Sequence, residues 1–545
     1  MSLAPEYASP LAFVLGGLLP LALGMCRSGP GDDAPSTSTF EEPYRPQFHY
    51  TPQANWMNDP NGLVYHDGTY HLFHQYNPKG NTWGHMNWGH ATSPDLVHWT
   101  HQGVAIEEEG NEMIFSGSAV VDHNNTSGFG TDEDASPMVA IYTSHYTLPG
   151  DSIDQAQSLA YSTDGGATWT KYEGNPVLEH EDPEFRDPNV FWYAPENKWI
   201  MAVALSKQRK IQFYASPDLK EWTHLSDFGP TGSSELIWEC PALFRVPVEG
   251  ENETAWVLQV DVNPGSVAGG SGGRYFVGTF NGTTFTPVDE NPKEPPRWVD
   301  YGPDFYAAIP WNNRPRSQPR PIWAAWMNNW DYAKHIPTSP WRSALTLPRT
   351  VHLRRRNGGL QLVQQPIAAL EQLRRNPVEV SPRPLENETV SLDAQGISGR
   401  ALELVAVFRP GDADRVGLNV RARGNEKTVV GYDASEEHVY VDRSASGAHV
   451  HDAFPARNAA PLSLENGRVK LHVLVDWSSV EVFANDGVRV LTHRIFPDSQ
   501  STNVSLFASG GRARLVRLDA WALRSIWPEG GATRHSVESE SSTRP

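Results

Sequence analysis

Three segments of this chain repeat one short phrase, a run of turn-forming residues that ends on tryptophan. They are Ser93–Trp99 (SPDLVHW), Ser162–Trp169 (STDGGATW) and Ser216–Trp222 (SPDLKEW), and each follows a strand-like run: NWGHAT, SLAYS and QFYA. Units of this size cannot each bury a hydrophobic face alone, so they must pack on one another. From Phe48 to Arg355 strand-like runs recur between turn signals, and no long stretch shows the 3.6-residue periodicity of an amphipathic helix. Strands without helices, repeated at even spacing, imply four-stranded blades arranged radially as a β-propeller. Five blades are expected, beginning near Asn61, Phe115, Asn189, Pro241 and Phe305.

The remaining residues imply a second all-β unit. Within Val469–Phe496 (VKLHVLVDWSSVEVFANDGVRVLTHRIF), Leu471, Val473 and Val475 alternate toward one face, and Asn485-Asp486-Gly487 marks a hairpin turn. Regular strands with no helix read as a β-sandwich over 378–528. The expected order is a signal-like segment and flexible lead-in over 1–45, a propeller over 46–355, a linker over 356–377, the sandwich, and a disordered polar tail over 529–545. QQPIAALEQLRR (Gln364–Arg375) holds the one clear short helical pattern.

Charge narrows the partners. A formal net charge of −20 argues against nucleic acid or an anionic membrane, both of which need basic patches. The apolar run Leu11–Gly24 resembles a secretory h-region and is too short and proline-interrupted to span a bilayer comfortably. With N-x-[ST] sequons at Asn124, Asn125, Asn252, Asn281, Asn387 and Asn503, it points to a secreted protein, extracellular or wall-bound, with a vacuolar destination as the alternative. Cleavage near Cys26 would leave Cys240 as the one thiol and no internal disulfide.

Three acids stand in settings where charge is costly. Asp59 sits in WMNDPNG, Asp187 in EFRDPNVFWY and Glu239 in LIWECPALF, each beside proline or tryptophan and each opening an apolar strand. Singly, each has an ordinary explanation: a turn, an ion pair with Arg186, a strand edge that reaches water. On successive blades they would converge on the propeller axis. Glycoside cleavage needs two facing carboxyl groups, one neutral and one ionised. The apolar neighbours of Glu239 suggest that desolvation raises its pKa and suits it to donate a proton. Asp59, among amides, is expected to stay ionised as a nucleophile, and Asp187, beside Arg186, to stay charged and steady developing positive charge.

These motifs, WMNDPNG, FSGS (Phe115–Ser118), FRDPNV and WECP, resemble in order and position those of glycoside hydrolase family 32, the invertases, exo-inulinases and levanases. NPG…AGGSGGRYFVGTF, DYGPDFYA, WMNNWDY and PTSPWRSALTLPR resemble its later segments, so the likeness runs over about residues 46–525. It implies a five-bladed propeller joined to a β-sandwich, and cleavage of terminal β-fructofuranosyl residues of sucrose, inulin or levan with retention, through a fructosyl-enzyme. By this resemblance Asp59 corresponds to the nucleophile, Asp187 to the transition-state stabiliser and Glu239 to the acid/base. Trp56, Asn58, Gln75, Trp83, Phe115, Ser116, Arg186 and Trp330 fall where the family contacts its terminal fructose. No cofactor or metal is expected. His71 and His74, at i and i+3 on a strand, point to opposite faces, and Gly269–Gly273 lacks the Lys-Ser/Thr of a phosphate loop. Cys240 reads as a small buried hydrophobe. A fructosyltransferase uses the same three acids and stays open as an alternative; a non-catalytic sugar-binding propeller would have lost at least one of them.

Overall fold

The computed structural model describes residues 39–528 apart from 132–135, 151, 232–236, 289–295 and 357. The signal-like segment, Cys26 and the expected tail lie outside these residues. Five antiparallel sheets come first, each of four consecutive strands or built around four. Their innermost strands are Asn55–His66, Glu112–Val121, Phe185–Tyr193, Ile237–Pro247 and Tyr306–Pro310. Each expected blade start falls on one of these strands or, for Phe305, one residue before it. The innermost strands touch first to second, second to third, and so on, and the fifth returns to the first. That closed ring is a five-bladed propeller. Trp341–Arg342 fastens it by pairing in parallel with Asn55–Trp56 at the edge of the first sheet.

Both faces of each blade are covered by neighbours, so the strands are apolar on both faces. Val64, Phe73, Trp88, Ile114 and Tyr142 fill the space between the first and second blades. Ile200, Phe213, Trp238, Leu258 and Phe276 do the same between the third and fourth. Each such side chain, fully buried, contributes about 1.5–3 kcal/mol relative to exposure. The repeated phrase has one structural meaning: it joins the third strand to the fourth in blades one, two and three. In each copy the serine hydroxyl meets the aspartate two residues on, Ser93 to Asp95 at 3.1 Å, Ser162 to Asp164 at 2.7 Å and Ser216 to Asp218 at 3.1 Å. The aspartate then accepts backbone N–H groups further along the turn, the side-chain mimicry of a turn that Ser and Asp favour.

Two expected boundaries differ. Residues 39–45 are no flexible lead-in: Phe40 stacks on Trp527 at 4.2 Å, and the fully buried Arg45 donates to Thr51 Oγ1 and the Pro52 carbonyl. The expected linker over 356–377 contains Gly359–Pro366, the outermost strand of the fifth blade, and the start of Arg374–Val380, the first strand of the sandwich. The helical pattern between them forms one 3₁₀ segment, Ala368–Leu373, that buries Leu370 and Leu373. Six residues closed by extended chain on both sides leave no room for a longer helix.

The second unit packs a seven-stranded sheet on a six-stranded one, with Leu404, Phe408, Leu418, Val430, Val473 and Leu506 between them. This is the sandwich the alternation implies. At the expected hairpin Asn485 and Asp486 take φ of 45° and 58°, the left-handed pair that a tight twisted turn needs. A Cβ on Gly487 would stand 1.6 Å from the Gln364 carbonyl oxygen, so the hairpin tip seats directly on the fifth blade. Beneath it runs a buried ionic chain. Asp476 Oδ2 lies 2.7 Å from His49 Nδ1, and Glu481 Oε1 lies 2.8 Å from His49 Nε2. Glu481 also takes Arg349 at 2.5 Å, and Arg349 reaches Asp300 at 3.0 Å. The His49 and Arg349 cations belong to the propeller side and Asp476 and Glu481 to the sandwich, so the chain ties one unit to the other.

Candidate active site

Each innermost strand is irregular near its start. Register shifts fall between Met57 and Pro60, Ile114 and Gly117, Glu239 and Ala242, and Tyr306 and Ile309, and opposite Arg186–Asn189 in the third blade. Such bulges re-aim side chains. Proline cannot serve a regular ladder and is tolerated at bulges, which is why Pro60, Pro188 and Pro241 sit inside strands here. Asp187, Cys240 and Ala307 take φ of 67°, 46° and 56° at these points. Non-glycine residues rarely adopt this conformation, and it concentrates at functional sites.

The bulges bring the three acids together. Asp59, Asp187 and Glu239 lie on blades one, three and four, and the second blade contributes Ser116; the acids are thus not on successive blades as the sequence suggested. Cys240 marks the convergence: its Sγ is 3.6 Å from Asp187 Oδ2 and 3.8 Å from Asp59 Oδ2. Burial and the surrounding carboxyl groups push that thiol well above its ordinary pKa, so it is a neutral filler.

Asp59 is a hub of neutral donors. Ser116 Oγ donates to its Oδ2 at 2.7 Å and Asn58 Nδ2 to its Oδ1 at 3.1 Å, while Trp56 Nε1 fixes Asn58 at 2.8 Å. Asp187 Oδ2 accepts the Cys240 backbone N–H at 2.9 Å. Glu239 shares Oε1 with Arg186 Nε and Nη2 at 3.0 Å each, and the Tyr306 hydroxyl donates to its Oε2. Arg186 is held in turn by Glu184 at 2.5 Å, Ser206 at 2.7 Å and Gln155 at 3.2 Å.

The electrostatics depart from expectation at Asp59 and Asp187. Burial raises Asp59, against the pull of its Ser116 and Asn58 hydrogen bonds. Burial also pushes Asp187 up to about 7, because the neighbouring guanidinium only partly offsets it and the Glu239 charge adds to it. Arg186 acts on Asp187 only through space; the carboxylates it hydrogen-bonds are Glu239 and Glu184. Glu239, set among apolar neighbours in sequence, is the acid that gains the cation.

Aromatic rings frame the cluster. Trp56 stacks with Trp330 at 6.1 Å, and Trp330 leans on Trp326 at 4.8 Å. Half-buried Phe115 lies on His145 at 4.2 Å and meets Trp83 edge-on at 6.0 Å. Trp83 is 45% exposed, a large apolar ring left open beside Phe115. Gln75 is buried with its amide on the Ile114 carbonyl at 3.0 Å, so it braces the second blade's bulge. The Gly269–Gly273 run folds against the cluster's edge, where Asn329 donates to the Gly269 and Ser271 carbonyls. His71 and His74 do face apart, toward His90 and Tyr50 respectively. Tyr306, Gln155, Glu184 and Ser206 were not singled out from sequence. Tyr306 carries a signal, a hydroxyl in the buried run FYAAI; the others serve Arg186 from positions that only the fold brings close.

Residues 49–366 match the N-terminal domain of glycosyl hydrolases family 32, and residues 369–522 match that family's C-terminal domain. The levanase of Bacillus subtilis is 48% identical over 91% of this chain and 72% of its own length. The extracellular exo-inulinase of Aspergillus ficuum is 43% identical over 90% of this chain and 96% of its own. Among solved structures, the exo-inulinase of Aspergillus awamori superposes with a TM-score of 0.83 at 40% identity, covering 90% of this chain and all of that one. The β-fructofuranosidase of Schwanniomyces occidentalis, complexed with fructosyl-erythritol, gives 0.81 at 34% identity over 90% and 99%. Matches that span both units place this chain in glycosyl hydrolase family 32, as a glycosidase.

Proposed function

We propose that the protein is a retaining, exo-acting β-fructosidase that releases terminal β-fructofuranosyl residues from sucrose and from fructan chain ends. The gathering of Asp59, Asp187 and Glu239 around Cys240 carries this reading. The Asp59 carboxylate attacks the anomeric carbon while Glu239 protonates the departing oxygen, so the glycosidic bond breaks and a fructosyl ester forms. Glu239, now an anion, is stabilised by Arg186 and Tyr306. It then takes a proton from water, whose oxygen attacks the same carbon and expels Asp59. Asp187, backed by the Cys240 N–H, holds sugar hydroxyls and the developing positive charge. Trp56, Trp83, Phe115 and Trp330 supply apolar walls, and Asn58, Ser116 and Arg186 supply polar contacts to the terminal ring.

One of the relatives is named as an extracellular exo-inulinase. With the signal-like Leu11–Gly24, this favours secretion. Inulin digestion with early resolution of products tests the activity: free fructose from the first time point is expected. Oligosaccharides appearing without free fructose would make the enzyme endo-acting and overturn the reading.

A further inference from the structure

Trp83 is the one exposed tryptophan among the described residues. Its ring partner is Phe115, which packs on the cluster holding Trp56, Cys240 and Tyr306. With one edge-on contact, the ring stands where its backbone puts it. That backbone is the loop of the first blade between Thr69–Asn77 and Asn87–Ser93. Its first half is pinned through its carbonyls: Asn55 Nδ2 donates to Pro78, the Trp56 N–H to Gly80 and Asn77 Nδ2 to Thr82, at 2.8, 3.0 and 2.8 Å. Beyond Trp83 the chain turns through Gly84 and His85 at φ of 134° and 50°. A histidine in that conformation persists only where its surroundings hold it.

Glu108 does the holding. It lies in the link from the outermost strand of the first blade, Thr100–Ile106, to the innermost strand of the second. Three consecutive glutamates ordinarily read as a solvated face, and Glu107 and Glu109 are exposed; the Glu108 side chain is turned in, with 18% of it open. Its Oε1 takes Lys79 Nζ at 2.5 Å and lies 3.0 Å from His85 Nδ1, so one carboxylate grips the loop on both sides of Trp83. Asn87 doubles the grip: its Oδ1 accepts the Glu108 backbone N–H at 2.8 Å and its Nδ2 donates to the His85 carbonyl at 2.7 Å. Partial burial opposes the charge on Glu108, but the Lys79 and His85 hydrogen bonds hold its carboxyl below the ordinary value.

We propose that Glu108 is a positioning residue for sugar binding: it fixes the Trp83 wall before substrate arrives and so lowers KM without touching the substrate, an inference that rests on the fructosidase reading and the wall role given to Trp83 above. A ring already in place need not be ordered when the sugar binds, and that saving appears as affinity. Ion pairs between exposed side chains are individually weak. The effect therefore comes from several tethers meeting at one residue, and it is modest in size.

The test measures KM and kcat for fructose release from inulin in wild type, Glu108→Ala, Trp83→Ala and the double variant, with Tm alongside. Glu108→Ala is expected to raise KM about three- to tenfold while kcat stays within about twofold of wild type. Trp83→Ala should raise KM at least as far, and the double variant should match Trp83→Ala alone, because a clasp has nothing to hold once its ring is gone. An unchanged KM in folded Glu108→Ala would overturn the proposal. So would the same rise recurring in the Trp83→Ala background, or a KM that Trp83→Ala itself leaves unmoved. Should Glu108→Ala not accumulate folded, Glu108→Gln, which keeps the length and an acceptor oxygen but not the charge, is read by the same criteria. A wild type that releases no fructose removes the fructosidase reading and the clasp together, whereas an active wild type in which the two substitutions simply add removes only the clasp.

Discussion

Among the described residues, Asp59 takes its hydrogen bonds from neutral donors, Ser116 and Asn58 foremost, and from no cation, an environment that orders a carboxylate without quenching it. A turn-forming role and a chemical one make opposite demands on this position. Asparagine serves turns as well as aspartate does, and its amide oxygen would still accept from Ser116 or Asn58. Asp59→Asn is therefore expected to fold with a Tm close to wild type and to lose turnover by at least about 10⁴-fold, equivalent to ~5.5 kcal/mol of barrier. Turnover and unfolding measured on the same preparation check it, and a folded, active variant would return WMNDPNG to an ordinary loop. The electrostatic order of the acids was the part sequence could not give. Apolar neighbours in the chain suggested that Glu239 was the desolvated one, but desolvation depends on neighbours in space. Arg186, from the adjoining blade, turns its guanidinium to Glu239 and leaves Asp187 to bear the burial.

At the scale of elements, much was legible. Ser-x-Asp turns ending in tryptophan recur because each fills the same joint between third and fourth strands, and Asp-Pro or Cys-Pro at the head of an apolar run marks a bulged innermost strand. Those two signals placed the blades and the three acids. The outer strand Gly359–Pro366 was hidden because its burial depends on pairing with Arg349–Arg356 and on the sandwich hairpin pressed upon it, neither of which its composition records. That hairpin tip yields a prediction of its own. Gly487 has a φ of 87° and no room for a Cβ, so Gly487→Ala must both strain the turn and push the hairpin off the fifth blade. A destabilisation of about 2 kcal/mol or more is expected, read as a lowered Tm, with kcat/KM unchanged at temperatures where the variant remains folded. An unaltered Tm would mean that the tip does not bear on the blade.

At the scale of the molecule, the two units are joined by charges that water cannot reach. Burial opposes a positive His49, yet Asp476 and Glu481 together hold it above its ordinary value, and Glu481 in turn is lowered to about 2 against its own burial, chiefly by Arg349 and His49. The raised histidine gives its full stabilisation below the unfolded value of about 6.5 and loses it as pH climbs through the folded one; the lowered glutamate gives its own above about 4.5 and loses it as pH falls toward 2. The joint is thus strongest between about pH 4.5 and 6.5. His49→Gln leaves two buried carboxylates short of a cation, a loss of about 3–5 kcal/mol. The difference in Tm between wild type and this variant should be widest in that window and narrow on either side, and a difference independent of pH would rule the ionic account out. The packing of Phe40 against Trp527, with the Trp527 indole N–H on the Pro46 carbonyl at 2.8 Å, carries a consequence for synthesis. Pro46 and Trp527 leave the ribosome 481 residues apart, so the earlier partner waits, unsealed, until the later one has emerged. The same adjacency brings residues 40 and 527 within one short bridge of each other, which makes this fold a natural subject for circular permutation: join those points, open a blade turn, and the order of manufacture changes while the finished architecture need not.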